Sequence, residues 1–288
     1  MDKYQEAFSK FEPIGSNDEV AEKVYKILNI HEQENFTIEV LKFLYGCIDL
    51  TSLSTLDTKE KIWKLVESVN DFEGTRPDIP NVAAICTYPI FTETVKQALT
   101  AQNVKIAAVT GGFPSSQTFG EVKIAETALA IMHGAEEIDT VLNLGFLMEE
   151  SYQELAEDIQ EIKECGHNEA TLKVILETGA LKTTNLIQKA AIFSIYAGAD
   201  FIKSSTGKEY TGATSEAIYT MCQVIKSYHS LTSNKIGIKI SGGVRKAEDA
   251  IKYYTLVKNI LGEEWLNKDY FRIGASSLAN DILSRIGE

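Results

Sequence analysis

Two segments of the chain set a lysine alone among apolar and small residues. In IGIKIS, Ile236, Ile238 and Ile240 alternate with Gly237, Lys239 and Ser241. Successive side chains on a β-strand point to opposite faces, so the isoleucines share one face and Lys239 takes the other. In DFIKSSTG, Phe201, Lys203 and Ser205 share a face opposite Ile202. An ammonium group turned into an enclosed space is desolvated, which is costly unless it meets a partner or serves a reaction. Two such lysines side by side disfavour each other's protonation, so one lowers the pKa of the other. A neutral amine attacks carbonyl groups, and a neighbouring cation is a recognised way to activate a Schiff-base lysine. The alternative stays open that each lysine pairs with a carboxylate and does no chemistry.

Asp139, in EEIDTVLN, is such a carboxylate; alternation sets it on the face of Val141, away from Ile138 and Thr140. There it could hold one lysine charged and relay protons through water, or form a structural ion pair. Lys173 lies near the start of LKVILETG and reads as interior filling or as a carboxylate's partner.

These residues need a scaffold that brings separate strands to one cavity. Short β-rich runs alternate with longer amphipathic stretches: CIDLT from 47, VAAICTYP from 82, KIAAVTGGF from 105, EIDTVLN from 137, LKVILETG from 172, DFIKSSTG from 200, IGIKISGG from 236 and YFRIGASS from 270. Stretches such as VKIAETALAIMHG, SYQELAEDIQEIKECG, TTNLIQKAAIFSIYAGAD and TSEAIYTMCQVIKSYHS between them carry helical periodicity. Eight strand–helix repeats predict an α/β fold, a (β/α)₈ TIM barrel. An open doubly wound sheet would carry G-x-G-x-x-G after its first strand, where this chain has TSLSTL. Residues 1–43 read as a helical extension packing on the barrel, and 44–288 as the barrel itself.

In such barrels the chemistry sits at the C-terminal ends of the strands, and phosphate often binds in the loops after strands 7 and 8. Those loops are ISGGVRKAED and RIGASSL, rich in glycines that let backbone N–H groups approach an anion and in hydroxyls that add donors. Lys208, in STGK, could add a cation at the same rim; STGK is too short for a nucleotide P-loop. Asp49 and Thr51 could bind substrate hydroxyls or be ordinary rim residues, and Cys86 could face the pocket or be inert core. His133, His167 and His229 carry no recognisable site pattern.

The chain has 41 Asp and Glu against 28 Lys and Arg, a net charge of −13, which argues against nucleic acid or anionic membranes as partners. An anionic substrate therefore needs a local positive site. Cys47, Cys86, Cys165 and Cys222 form no C-x-x-C pair and have no histidine at ligand spacing, so neither a disulfide framework nor a metal site is expected. The polar start, MDKYQEAFSKFEP, does not read as a signal peptide, and no apolar run is long enough to span a membrane, so a cytoplasmic location is expected.

FIKSSTGK, GIKISGGVRKAEDA, FRIGASSL, LKVILETGAL, GAEEIDTVLN and IDLTSL, in this combination, resemble the deoxyribose-phosphate aldolase family from about residue 44 to about 280. The resemblance implies that Lys203 is the Schiff-base lysine, Lys239 the second lysine that perturbs it and moves protons, and Asp139 the acid/base carboxylate. It implies that Gly207, Lys208, Gly242, Gly243, Val244, Arg245, Gly274, Ser276 and Ser277 surround a sugar-phosphate substrate, with Asp49, Thr51 and Cys86 lining the pocket. The reaction implied is reversible cleavage of 2-deoxy-D-ribose 5-phosphate to D-glyceraldehyde 3-phosphate and acetaldehyde, with no metal or organic cofactor; a homo-oligomer, dimer or larger, is compatible with it.

The chain departs from the family pattern at Ile240-Ser241-Gly242-Gly243, where Pro-Ala-Gly-Gly is common, at LNLGFLM after strand 4, and in its longer N-terminal extension. It ends in SRIGE where some members carry a terminal tyrosine, so a tyrosine-assisted proton step is not expected. Two other functions remain as alternatives: a Schiff-base aldolase or transaldolase acting on a ketose phosphate, and a non-catalytic barrel that binds sugar phosphates.

Overall fold

The structure, a computed structural model, describes residues 3–166 and 169–287, so His167 lies outside the described residues. Each expected run holds one strand: β1 (Ile48–Thr51), β2 (Ala84–Thr87), β3 (Lys105–Thr110), β4 (Glu137–Val141), β5 (Thr171–Ile175), β6 (Phe201–Lys203), β7 (Gly237–Ser241) and β8 (Phe271–Ala275). Every strand runs parallel to the next, and β8 pairs with β1 to close the (β/α)₈ barrel. Helices return the chain outside it, the longest being Lys59–Thr75, Ser215–Thr232 and Ala247–Leu261. Thr58, Thr183 and Thr214 end their loops as N-caps, each hydroxyl accepting from a backbone N–H of the first helical turn.

The expected N-terminal helices are Lys3–Ser9, Asn17–His31 and Ile38–Gly46; the third runs past residue 43 almost to the start of β1. The second is fixed at its start by a capping box between Ser16 and Glu19 and lies against the helices Ser215–Thr232 and Ala247–Leu261, burying Val20 and Val24. The first packs through Phe8, whose ring meets Phe193 edge-on at 4.5 Å.

The pleat divides the barrel wall as alternation predicts. Ile138, Val174, Ile202, Ile238, Ile240 and Ile273 face the helices and join the main apolar core. The inward face is split into two sectors. Along β2 and β3 it is small and apolar, with Ala84, Cys86, Ala107 and Val109 in contact. The other strands point Asp49, Glu137, Asp139, Lys173, Lys203, Lys239 and Arg272 inward, all buried. Strand register sets Asp139 beside Lys173, Lys203 beside Lys239 and Lys239 beside Arg272. Below the lysines the ring of Phe201 lies so close to Gly237 that any Cβ there would collide with it.

Candidate active site

The inward charges form one connected network. Lys203 Nζ donates to Asp139 Oδ2 at 2.7 Å, and Lys239 Nζ donates to the same oxygen at 2.6 Å. Lys239 Nζ also lies 2.5 Å from Asp49 Oδ2, a charge contact rather than an aligned hydrogen bond. Lys173 Nζ reaches Glu137 Oε2 at 2.5 Å, Asp139 Oδ1 at 3.2 Å and Asp49 Oδ2 at 3.6 Å. Arg272 forks between Asp49 Oδ1 at 2.6 Å and Glu137 Oε1 at 2.8 Å.

Burial opposes charge on the three lysines and on Asp139, and the neighbours decide the outcome. Burial and then the Lys239 charge push Lys203 below the ordinary lysine pKa, against the pull of Asp139. For Lys239 burial is outweighed by Asp139 and Asp49, and for Lys173 by Asp139, Glu137 and Asp49, so both are raised. Asp139 is held well below the usual carboxylate range because Lys173, Lys203 and Lys239 outweigh its burial. Two amines on one oxygen are thus driven in opposite directions.

Lys203 is the one interior cation that also borders the open cleft at the C-terminal ends of the strands. That cleft, roughly 370 Å³, is bounded by Thr51, Gly207, Lys208, Gly242, Gly243, Val244, Arg245, Gly274 and Ser276 among others. Gly242 has a φ of 89° and its Cα side faces Gly212, so a side chain there would meet backbone at 2.6 Å as well as strain. Lys208 Nζ donates to the carbonyl of Leu53.

Three expected site residues lie elsewhere. Ser277 is exposed at the N-cap of the helix Leu278–Ile286 and does not border the cleft, because the chain turns into the helix one residue after Ser276. Asp49 is deeper, with its oxygens engaged by Arg272 and Lys239 rather than open to substrate. Cys86 is fully buried on β2, its Sγ 4.0 Å from Asp139 Oδ2. Of the unremarked histidines, His133 lies 3.6 Å from Glu93 and His229 packs against Trp265.

Sequence reasoning passed over Glu137, Arg272 and Glu177. Alternation alone would have placed Glu137 with Asp139 and Arg272 with Gly274. Glu177 follows β5 in a left-handed conformation, φ 51° and ψ 58°, which no periodicity marks. Its buried carboxylate accepts from Ser205 Oγ at 2.7 Å, from Thr206 N at 3.3 Å and from Thr206 Oγ1. Ser205 Oγ in turn accepts from Gly207 N at 2.9 Å, so Glu177 holds the loop that leads from Lys203 to the rim. Ser241 Oγ donates to the Ser205 carbonyl at 2.5 Å, tying the same loop to β7. Among the described residues, no group of three or more His, Cys, Asp or Glu side chains is placed to hold a metal ion.

Comparison with known proteins adds relatives to this geometry. Residues 45–281 match the family described as DeoC/LacD family aldolase. The chain is 39% identical over 252 residues to deoxyribose-phosphate aldolase of Homo sapiens, covering 83% of this chain and 78% of that one. It is 38% identical over 253 residues to the deoxyribose-phosphate aldolase of Bos taurus, with the same coverage. The deoxyribose phosphate aldolase of Aeropyrum pernix, whose solved structure is described as a unique tetramer, superposes with a TM-score of 0.68 at 27% identity, over 91% of this chain and 97% of that one.

Proposed function

The chain belongs to the DeoC/LacD aldolase family, and from that premise we propose that it is a deoxyribose-phosphate aldolase working through a Schiff base on Lys203. The observation that supports this most is that Lys203, alone among the four interior cations, borders the open cleft while its pKa is pushed down. A lysine that is both accessible and inclined to be neutral is what addition to a carbonyl requires.

The reaction then runs as follows. The neutral amine of Lys203 adds to C1 of the open-chain sugar, and the carbinolamine loses water to give an iminium. A two-carbon aldehyde and a three-carbon phosphate as products require cleavage between C2 and C3. The electron pair of that bond flows to the iminium nitrogen, leaving an enamine, while the C3 hydroxyl loses its proton and C3 becomes the aldehyde carbon of D-glyceraldehyde 3-phosphate. Protonation of the enamine at C2 and hydrolysis release acetaldehyde and restore Lys203. Asp139, hydrogen-bonded to both lysines, passes protons between Lys203 and the raised Lys239, which carries one in reserve. The left-handed glycines at 207, 242 and 243 let backbone N–H groups approach the phosphate, with Lys208 and Arg245 supplying charge at the rim.

In this reading residues 1–43 are an outer layer on the barrel of residues 44–288. Four unpaired cysteines suit a reducing cytoplasm, and a homo-oligomer is expected by analogy with the Aeropyrum pernix tetramer. Among the described residues, no helix is long and apolar enough to cross a membrane.

The test is an aldol-cleavage assay on 2-deoxy-D-ribose 5-phosphate, with and without a chelator, followed by borohydride reduction and peptide mass spectrometry. Turnover that survives chelation and a two- or five-carbon adduct on Lys203 are expected. Turnover without any reducible lysine adduct, or activity lost to the chelator and restored by zinc, would overturn the reading.

A further inference from the structure

The charges inside the barrel do not balance. β1 supplies Asp49, β4 supplies Glu137 and Asp139, β5 supplies Lys173, β6 supplies Lys203, β7 supplies Lys239 and β8 supplies Arg272. β2 adds only the thiol of Cys86, and β3 only Ala107 and Val109. Above them, Glu177 is bound to the neutral donors of Ser205 and Thr206, and Lys208 and Arg245 stand at the exposed rim. Four cations therefore meet three carboxylates in a space where none of the seven is more than 4% exposed.

A surplus proton in such a space is expensive, and the network sheds it where it is least compensated. Arg272 cannot give one up. Lys173 reaches three carboxylates, at 2.5, 3.2 and 3.6 Å. Lys239 reaches two, at 2.5 and 2.6 Å. Lys203 reaches only Asp139, on an oxygen Lys239 already occupies. Arg272 creates this shortage from the far side: it takes one oxygen of Asp49 and both of Glu137.

We propose that Arg272 is a positioning residue for the reaction: by engaging one oxygen of Asp49 and both of Glu137, it leaves Lys203 without a carboxylate of its own and disfavours protonation of that amine. Arg272 borders no part of the cleft, so it acts through the network and not on the substrate. The inference rests on the Schiff-base reading above and adds to it the source of the lysine's reactivity.

The test is the pH profile of kcat/KM, paired with the pH dependence of borohydride trapping on Lys203, in four forms of the enzyme. Arg272→Met equalises the charges at three against three, and the acidic midpoint should rise by about one unit, with roughly tenfold loss at neutral pH that alkaline pH recovers. Glu137→Gln widens the surplus and should move the midpoint down. The double variant restores a surplus of one and should return the midpoint close to that of the parent. A merely structural role would depress the rate at every pH and could not give shifts of opposite sign. If Arg272→Met does not fold, Arg272→Lys should hold the parental midpoint while Glu137→Gln still lowers it. Midpoints that stay fixed, or that move together, overturn the proposal. A parent enzyme that traps no adduct on Lys203 would instead sink the Schiff-base reading, so the two failures are distinct.

Discussion

Lys203 and Lys239 stand opposite each other in the register of β6 and β7, and each sets its Nζ on the same atom, Asp139 Oδ2. What separates them is the second carboxylate: Lys239 has Asp49 at 2.5 Å and Lys203 has none. One oxygen thus joins an amine driven toward neutrality to an ammonium held charged, a proton acceptor and a proton donor one atom apart.

The pair should divide its labour accordingly. Lys203→Met should lose both turnover and the borohydride adduct. Lys239→Met removes the cation that opposes protonation of Lys203, so Lys203 should still be trapped, but only at higher pH, with turnover at neutral pH falling steeply. Mass spectrometry that finds the parental adduct on Lys239 would reverse the two roles.

Asp139→Asn keeps the shape and removes the charge between the lysines. It should lower kcat by roughly 10² or more, as loss of a general acid/base group does, while circular dichroism shows the barrel intact. A folded variant with near-parental turnover would reduce Asp139 to a structural partner.

Lys203 should also weaken the fold. Its folded pKa is lowered, so below the ordinary lysine value the unfolded chain holds a proton that the folded protein gives up. That penalty is absent above the ordinary lysine value and grows as pH falls toward the folded one. Lys203→Met should therefore raise Tm at neutral pH, and the gain should shrink in alkaline buffer. A lower Tm at neutral pH would mean that the amine is charged and its ion pair stabilising.

Gly243 has a φ of 81° with open space around it, so a β-branched residue there strains the loop without filling a core. Gly243→Val should raise KM for the phosphorylated sugar by about tenfold, the scale of one or two lost hydrogen bonds, and change KM for free 2-deoxyribose far less. Equal losses on both substrates would make this loop scaffold rather than phosphate site.

How much of this could be read from the sequence depended on how local each cause is. The pleat is a property of neighbouring residues, so the inward turn of Asp139, Lys203 and Lys239 followed from alternation, and eight strand runs implied the barrel. Whether Asp49 faces substrate or an arginine depends on Arg272, 223 positions away in the chain, and alternation says nothing about that. Ser276 borders the cleft and Ser277 does not, because the two fall in the short turn between the end of β8 at Ala275 and the helix that starts at Leu278, a boundary composition does not mark. Glu177 acts only because the loop after β5 meets the loop after β6, a contact between segments that carry no shared pattern.

The ring of Phe201 against Gly237 gives the barrel a floor below Lys203, and substrates that share the cleft above it must queue. In the direction of bond formation, the small aldehyde should pass the rim before the phosphorylated one arrives, because the loops proposed to hold phosphate border the same cleft as Lys203. A phosphorylated aldehyde that docks first blocks the neck above an empty lysine. Excess D-glyceraldehyde 3-phosphate should then slow synthesis, and acetaldehyde should relieve the block by competition in time rather than in space.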